Sequence, residues 1–370
     1  MRTVRTVTDS PTRPDAVTTV VLSQADPRHG PYGIDILPRF GYDVVGVSPR
    51  RNRVLRKLRD VMEHRSGVLM DVPIRSAPSV LSADLVLGLL EPITELAAVL
   101  KGRGIPPYAR PPLVMIECWL AEWLRNADAL TRRRLVDRFK GADLLLALSR
   151  NQIDILVDSG FREDQVDAIV FGCAPGLFEG PAVERDLDIV AAGFDRGRDY
   201  ATFLEGVRDL DARVHLLCQP ANLAGLSIPG NVTVDGVVPY DQYRSMLRRA
   251  RVVAVPTREL AYPTGQSVAL DAGAAGAAIA MTGTVPLCEY FDDSSAVTVP
   301  PRDAAAWATS LRDLLRDEPR RLQLADAAHR RVLDNYTYEH MWGAFRQSLH
   351  DHCLPAYLPN VGGRNAAQSP

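Results

Sequence analysis

The chain predicts an α/β protein made of two doubly wound halves, and three observations carry that prediction. Short β-branched or aliphatic runs recur along most of the sequence and alternate with longer amphipathic stretches. That alternation is the mark of parallel strands covered by helices on both faces. At 370 residues the chain is too long for one hydrophobic core, so two domains are expected. No fixed-period repeat is visible, which excludes a solenoid.

Taken in order, residues 1–16 are rich in Pro, Ser, Thr and charge and are read as a disordered N-terminus. The strand candidates of the first half are VTTVVLS (17–23), DVVGVS (43–48), DLVLGLL (84–90), PLVMIE (112–117), DLLLALS (143–149) and VDAIVF (166–171). Those of the second half are DIVAAGF (188–194), RVHLLC (213–218), VTVDGVV (232–238), RVVAVP (251–256), AAIAMT (277–282) and AVTVP (296–300). Helices fall between them. Residues 304–316, for example, set Trp307, Leu311, Leu314 and Leu315 on one face at helical spacing. The halves, 17–180 and 181–340, divide near Gly180-Pro181, and the tail 359–370 is again read as disordered.

Composition narrows the function. A formal net charge of -2 gives no basic footprint for nucleic acid. No apolar stretch is long enough to span a bilayer, and the N-terminus lacks the apolar core of a signal peptide, so a cytoplasmic location is expected. The nearest candidate for a membrane surface, RRNRVLRKLRD (50–60), is read first as a solvated helix face. Five scattered cysteines with no CxxC pair argue against a disulfide framework or a structural zinc site.

In open α/β sheets ligands bind outside the carboxyl ends of the strands, so the loops there are where chemistry is sought. After RVVAVP comes Thr264-Gly265-Gln266-Ser267, opening a helix rich in Gly and Ala. A helix N-terminus with a glycine and hydroxyls can cradle an anion, and Asp271, about one and a half turns in, suits a ribose diol. The competing reading is an N-capped core helix whose small residues permit tight packing. Gly193-Phe194-Asp195-Arg196-Gly197-Arg198-Asp199 follows DIVAAGF. Arg198 is either an anion ligand or a surface arginine at a strand–helix turn. His29-Gly30-Pro31-Tyr32-Gly33 follows the first strand and is not GxGxxG, which argues against a dinucleotide dehydrogenase. Glu117 and Glu91 stand at strand ends, where either orients a hydroxyl or satisfies a helix dipole. The DxD pairs Asp186/Asp188 and Asp209/Asp211, and the HDHC run at 350–353, are read as incidental rather than metal-binding.

The order of these features resembles family-4 glycosyltransferases with the GT-B fold. Pro256-Thr257, then DAGAAGAAIAMT (271–282), EYFDD (289–293), VTVPPRD (297–303) and the helix pair ending in NYTYEHMW (335–342) are similar to that family's C-terminal half. GADLLLALSRNQIDILVDSG and VDAIVFGCAPGLFEG are similar to segments of its first half. The resemblance covers roughly 84–345 and is stronger after 141.

It implies two Rossmann-like domains facing across a cleft, with a C-terminal helix (341–358) returning to the first domain. It also implies a retaining glycosyltransferase taking UDP- or GDP-sugar as donor substrate and a small-molecule acceptor, with no permanently bound cofactor and no metal. The donor-binding residues carried over are Gly193, Asp195, Arg198 (in the place of the family's lysine), Thr264, Gly265, Gln266, Ser267 and Asp271. Gly30, Tyr32 and Gly33 form the cleft-facing loop, and Arg198 and Glu117 are the catalytic candidates.

Two departures stand out. Pro263 occupies the place of the family's first acid, with Glu259 nearby, and Ala174 replaces an aspartate. A same-fold epimerase or pseudo-glycosyltransferase, or a catalytically silent subunit, therefore stays open as an alternative.

Overall fold

The computed structural model describes residues 3–5, 16–25, 31–48, 57, 59, 60, 63, 64 and 68–352; Gly30, most of the 50–60 stretch and residues 353–370 lie outside them. The chain divides into two compact units, one running to Ile169 and resuming at Trp342, the other Val170–Met341.

Among the described residues the first unit holds a seven-stranded sheet, β1 (Thr3–Arg5), β2 (Val17–Leu22), β3 (Tyr42–Val47), β4 (Leu85–Leu89), β5 (Leu113–Ile116), β6 (Leu144–Ala147) and β7 (Val166–Ala168), in the order β1-β3-β2-β4-β5-β6-β7. All neighbours pair in parallel except β1, which runs antiparallel on β3 with Thr3 opposite Val47. β1 corrects the reading of residues 1–16 as wholly disordered. Thr3–Arg5 pair with the edge that β3 would otherwise leave open. Helices Asp71–Val80, Glu91–Gly102, Leu120–Asn126, Ala129–Phe139 and Asn151–Ser159 connect the strands. β4, β5 and β6 are buried at every position, which explains why they read as unbroken apolar runs. Residues 342–351 complete this unit. The Trp342 indole Nε1 donates to the carbonyls of Tyr32 and Gly33 at 2.9 and 3.0 Å, and Phe345 meets the Tyr42 ring edge-on at 5.7 Å.

The second unit holds β8 (Leu187–Ala192), β9 (Val214–Leu217), β10 (Val232–Val234), β11 (Ala250–Val255), β12 (Ala278–Thr282) and β13 (Val297–Val299), all parallel, in the order β10-β9-β8-β11-β12-β13. From β8 the chain winds outward through β9 and β10, then returns to β11 and winds the other way. The switch point therefore lies between β8 and β11, the place where open α/β sheets bind ligands at the strands' carboxyl ends. Helix Ala304–Arg316 covers one face, burying Trp307, Leu311 and Leu314, with Trp307 edge-on to Phe203 at 5.4 Å. On the other face, helix Gln266–Ala274 lies close to helix Glu318–Asn335. A Cβ on Gly273 would come within 2.8 Å of Val332 Cγ2, so the small-residue run does serve tight packing.

The division between units falls before the Gly180-Pro181 pair. Residues just after Ile169 already bond to the second unit's own loops. Phe171 N donates to the Tyr290 hydroxyl at 2.9 Å, and Cys173 N to the Tyr336 carbonyl at 2.8 Å.

Candidate active site

Two loops meet at the switch point of the second unit. The first, 193–199, leaves β8; the second, 256–265, leaves β11 and enters helix Gln266–Ala274. They are joined by a bridge between Arg198 and Thr257 and by Arg258 N donating to the Gly197 carbonyl at 2.7 Å.

Arg198 is the centre of this arrangement. Its side chain is only 3% exposed, and among the described residues neither Nε nor Nη1 has a hydrogen-bond acceptor. A guanidinium withdrawn from water this far costs free energy unless anions answer it; the Asp195 carboxylate answers Nε in part, its Oδ2 at 3.3 Å, and Nη1 has no acceptor among the described residues. The Arg198 guanidinium lies between two glycines in left-handed backbone, Gly193 at φ 137° and Gly265 at φ 92°. A Cβ on Gly193 would fall 2.0 Å from Arg198 Nε, and one on Gly265 2.7 Å from Nη1. Both positions need glycine twice over, for conformation and for room.

Gly265 is also the N-cap of the helix, and no side chain caps it. The positive end of the helix dipole therefore stands beside a buried guanidinium, an arrangement that binds an oxyanion. Thr264 is buried, Gln266 half-buried and Ser267 exposed in the first turn. Asp195 is exposed, yet its carboxylate is bonded to both loops. Its Oδ1 accepts from Gly197 N at 2.7 Å and from Thr264 Oγ1 at 2.8 Å, and its Oδ2 is 3.3 Å from Arg198 Nε.

Asp271 is half-buried and accepts a hydrogen bond from the Tyr243 hydroxyl at 3.0 Å. Burial pushes its carboxyl up to about 7, with the Tyr243 bond pulling it partly back. Tyr243 was not foreseen. It lies in helix Tyr240–Arg249, whose sequence shows only amphipathic spacing. Glu259 is exposed and stands 4.0 Å from Arg302, while Pro263, in the place of an acid, is buried.

In the first unit the sequence candidates lie differently. Tyr32 and Gly33 take φ values of 64° and 62°, and their carbonyls are turned to Trp342 rather than left open. Burial, with Cys118 and Glu91 near it, pushes the Tyr32 hydroxyl up to about 12.

Glu117 corrects an expectation. It is fully buried, its Oε1 accepts from Gln152 Nε2 at 2.8 Å, and its Oε2 accepts from Leu120 N at 3.1 Å. Both of its carboxylate oxygens are engaged within the first unit. Glu91, also fully buried, takes the N–H groups of Cys118, Trp119 and Leu120 on Oε1 at 2.8, 2.5 and 2.7 Å. Glu91 thus caps the start of helix Leu120–Asn126. Desolvation first, then the neighbouring Glu91, holds the Glu117 carboxyl well above the usual range. The DxD carboxylates Asp186 and Asp188 are paired with Arg249 and Arg251.

Comparison with known proteins follows this geometry. Residues 196–347 match the family described as glycosyl transferase-like. A comparison with curated sequences found no match. Among solved structures, HepE from Anabaena in complex with UDP and glucose is similar over 91% of this chain and 100% of its own, with a TM-score of 0.65 at 13% identity. Sucrose-phosphate synthase from Thermosynechococcus elongatus is similar over 92% and 100%, with a TM-score of 0.66 at 14% identity. A glycosyltransferase from Rickettsia africae is similar over 94% and 100%, with a TM-score of 0.59 at 11% identity. The family match spans the loop of Arg198 and the helix behind Gly265, and the structural likeness spans both units: the chain has the GT-B fold, and its residues 196–347 are similar to glycosyl transferase-like proteins.

Proposed function

We propose that the protein is a retaining, family-4-like glycosyltransferase that moves a sugar from UDP- or GDP-sugar to a small-molecule acceptor in the cytoplasm, in specialised metabolism. The observation that supports this best is the buried Arg198 guanidinium, with Nε and Nη1 lacking acceptors, beside the uncapped N-terminus of helix Gln266–Ala274. When the anomeric C–O bond breaks, negative charge gathers on the departing diphosphate. A fixed guanidinium and aligned backbone N–H groups stabilise that charge without reorganising. On this reading Gly193, Gly265 and Thr264 shape the diphosphate site, Gln266 and Ser267 line its entrance, and Asp271 takes the ribose hydroxyls. The first unit receives the acceptor, with Tyr32 and Gly33 in the loop after β2. The bound UDP of HepE supports a nucleoside diphosphate as the ligand class.

A silent subunit is the second reading, favoured by Pro263 standing where the family's first acid would be. Release of UDP or GDP from the matching sugar nucleotide, followed with candidate acceptors and with the anomeric configuration of the product determined, separates the two. Acceptor-dependent release with retained configuration supports transfer. Binding without release would favour the silent subunit.

A further inference from the structure

An inference about Asp195 rests on the reading of the Arg198 cradle as a diphosphate site and extends it. A carboxylate beside an anion site is electrostatically out of place unless its charge is already committed. Here it is committed to two loops at once. Asp195 Oδ1 accepts from Gly197 N at 2.7 Å, within the loop after β8, and from Thr264 Oγ1 at 2.8 Å, in the loop after β11. Oδ2 stands 3.3 Å from Arg198 Nε. The fit leaves no slack. A Cβ on Gly197 would fall 2.4 Å from Thr264 Oγ1 and 2.8 Å from Asp195 Oδ1. Thr264 in turn immediately precedes Gly265, the residue that sets the helix N-terminus.

We propose that Asp195 is a positioning residue: it ties the β8 and β11 loops together and fixes the Arg198 guanidinium for the diphosphate, acting through Arg198 and Thr264 rather than by touching the nucleotide.

The conservative substitution Asp195→Asn separates this from a ligand-contact role. An asparagine Oδ1 can still accept from Gly197 and Thr264, so the loop keeps its fold. Its Nδ2 then presents N–H groups to the N–H of Arg198 Nε, and the guanidinium loses its anchor. Removing the negative charge also takes away repulsion toward an anion.

The test reads two quantities in the full chain. One is the ¹H–¹⁵N signal of Arg198 Nε–H, identified by its loss in Arg198→Lys. The other is affinity for UDP, GDP, TDP and ADP by titration calorimetry. The expected result is a sharp, slowly exchanging Arg198 signal in the wild type that broadens in Asp195→Asn. Nucleotide affinity is expected to stay within about threefold of wild type or to tighten, while Arg198→Ala loses about tenfold or more. An unchanged Arg198 signal in Asp195→Asn would overturn the proposal, and so would a loss of affinity as large as that of Arg198→Ala. If none of the four nucleotides binds the wild type, the donor reading fails, while the Arg198 signal still decides the role of Asp195. Should Asp195→Asn not fold, Thr264→Val removes one strand of the tie. It is expected to broaden the same signal, and a sharp signal there would equally refute the role.

Discussion

Gly193→Ala probes the clamp on Arg198 directly. Gly193 holds φ 137°, and its added Cβ would lie 2.0 Å from Arg198 Nε and 2.4 Å from Cζ. Backbone strain at such a position costs about 1–3 kcal/mol. Forcing a methyl into an occupied space costs about 1–3 kcal/mol more unless the neighbour moves away. Gly225→Ala is the matched control, because Gly225 has φ 77° but nothing within 4 Å of an added Cβ. Only the strain of the left-handed backbone, about 1–2 kcal/mol, is expected there. With about 2–4 °C of midpoint per kcal/mol for a domain of this size, Gly225→Ala should lower Tm by roughly 2–8 °C and Gly193→Ala by about twice that. If Arg198 escapes by swinging out, Gly193→Ala loses less stability but also loses its response to nucleoside diphosphates, whereas Gly225→Ala keeps it. Differential scanning fluorimetry with and without nucleotide reads both. A Gly193→Ala protein as stable as Gly225→Ala and still responsive to nucleotide would refute the clamp.

Other predictions follow from the same contacts. Asp271 titrates at about 7 in the fold against an ordinary carboxyl near 3.8. Its contribution to stability is therefore present below about pH 4 and is lost as pH rises through 7. Asp271→Asn should gain Tm relative to wild type across that window, and a Tm difference independent of pH would contradict it. The raised Glu117 carboxyl has the same sign, so Glu117→Gln should be tolerated best at alkaline pH. Glu117→Ala should cost about 1–3 kcal/mol more than Glu117→Gln at every pH, because it removes the acceptor that Gln152 Nε2 bonds alongside the Cys118 carbonyl. Denaturant titrations at several pH values compare the two, and a Glu117→Gln loss that does not shrink toward alkaline pH would contradict the raised carboxyl. Trp342→Phe keeps the aromatic contact with Phe345 but strips the donor from the Tyr32 and Gly33 carbonyls, for an expected loss of about 1–3 kcal/mol in chemical denaturation.

Much of the fold was legible because burial on both faces leaves a plain mark. β4, β6 and β12 are continuous apolar runs in the sequence and buried at every residue in the structure. β1 was not legible, since its three residues lie among polar neighbours and gain their order only by pairing with β3. The sequence placed Gly193, Arg198 and Gly265 in the loops after two strands, and the structure brings the three together. The inward turn of Glu117 was not legible there. Helices cover both faces of its sheet, so residue alternation does not say which way a strand-end carboxylate points, and three backbone N–H groups supplied by distant chain geometry decide where Glu91 points beside it. Tyr243 was hidden for a related reason: its bond to Asp271 joins two helices 28 residues apart.

The central claim is that the Arg198 cradle binds a nucleoside diphosphate. Thermal midpoints of the wild type and Arg198→Ala, each with UDP, GDP, TDP and ADP, test it most directly. At a ligand concentration about a hundredfold above Kd, binding contributes about 2.7 kcal/mol, or roughly 5–11 °C for a domain of this size. The account predicts such a rise with at least one of the four in the wild type and its loss in Arg198→Ala. A wild-type midpoint unmoved by all four, or an equal rise in Arg198→Ala, would contradict it.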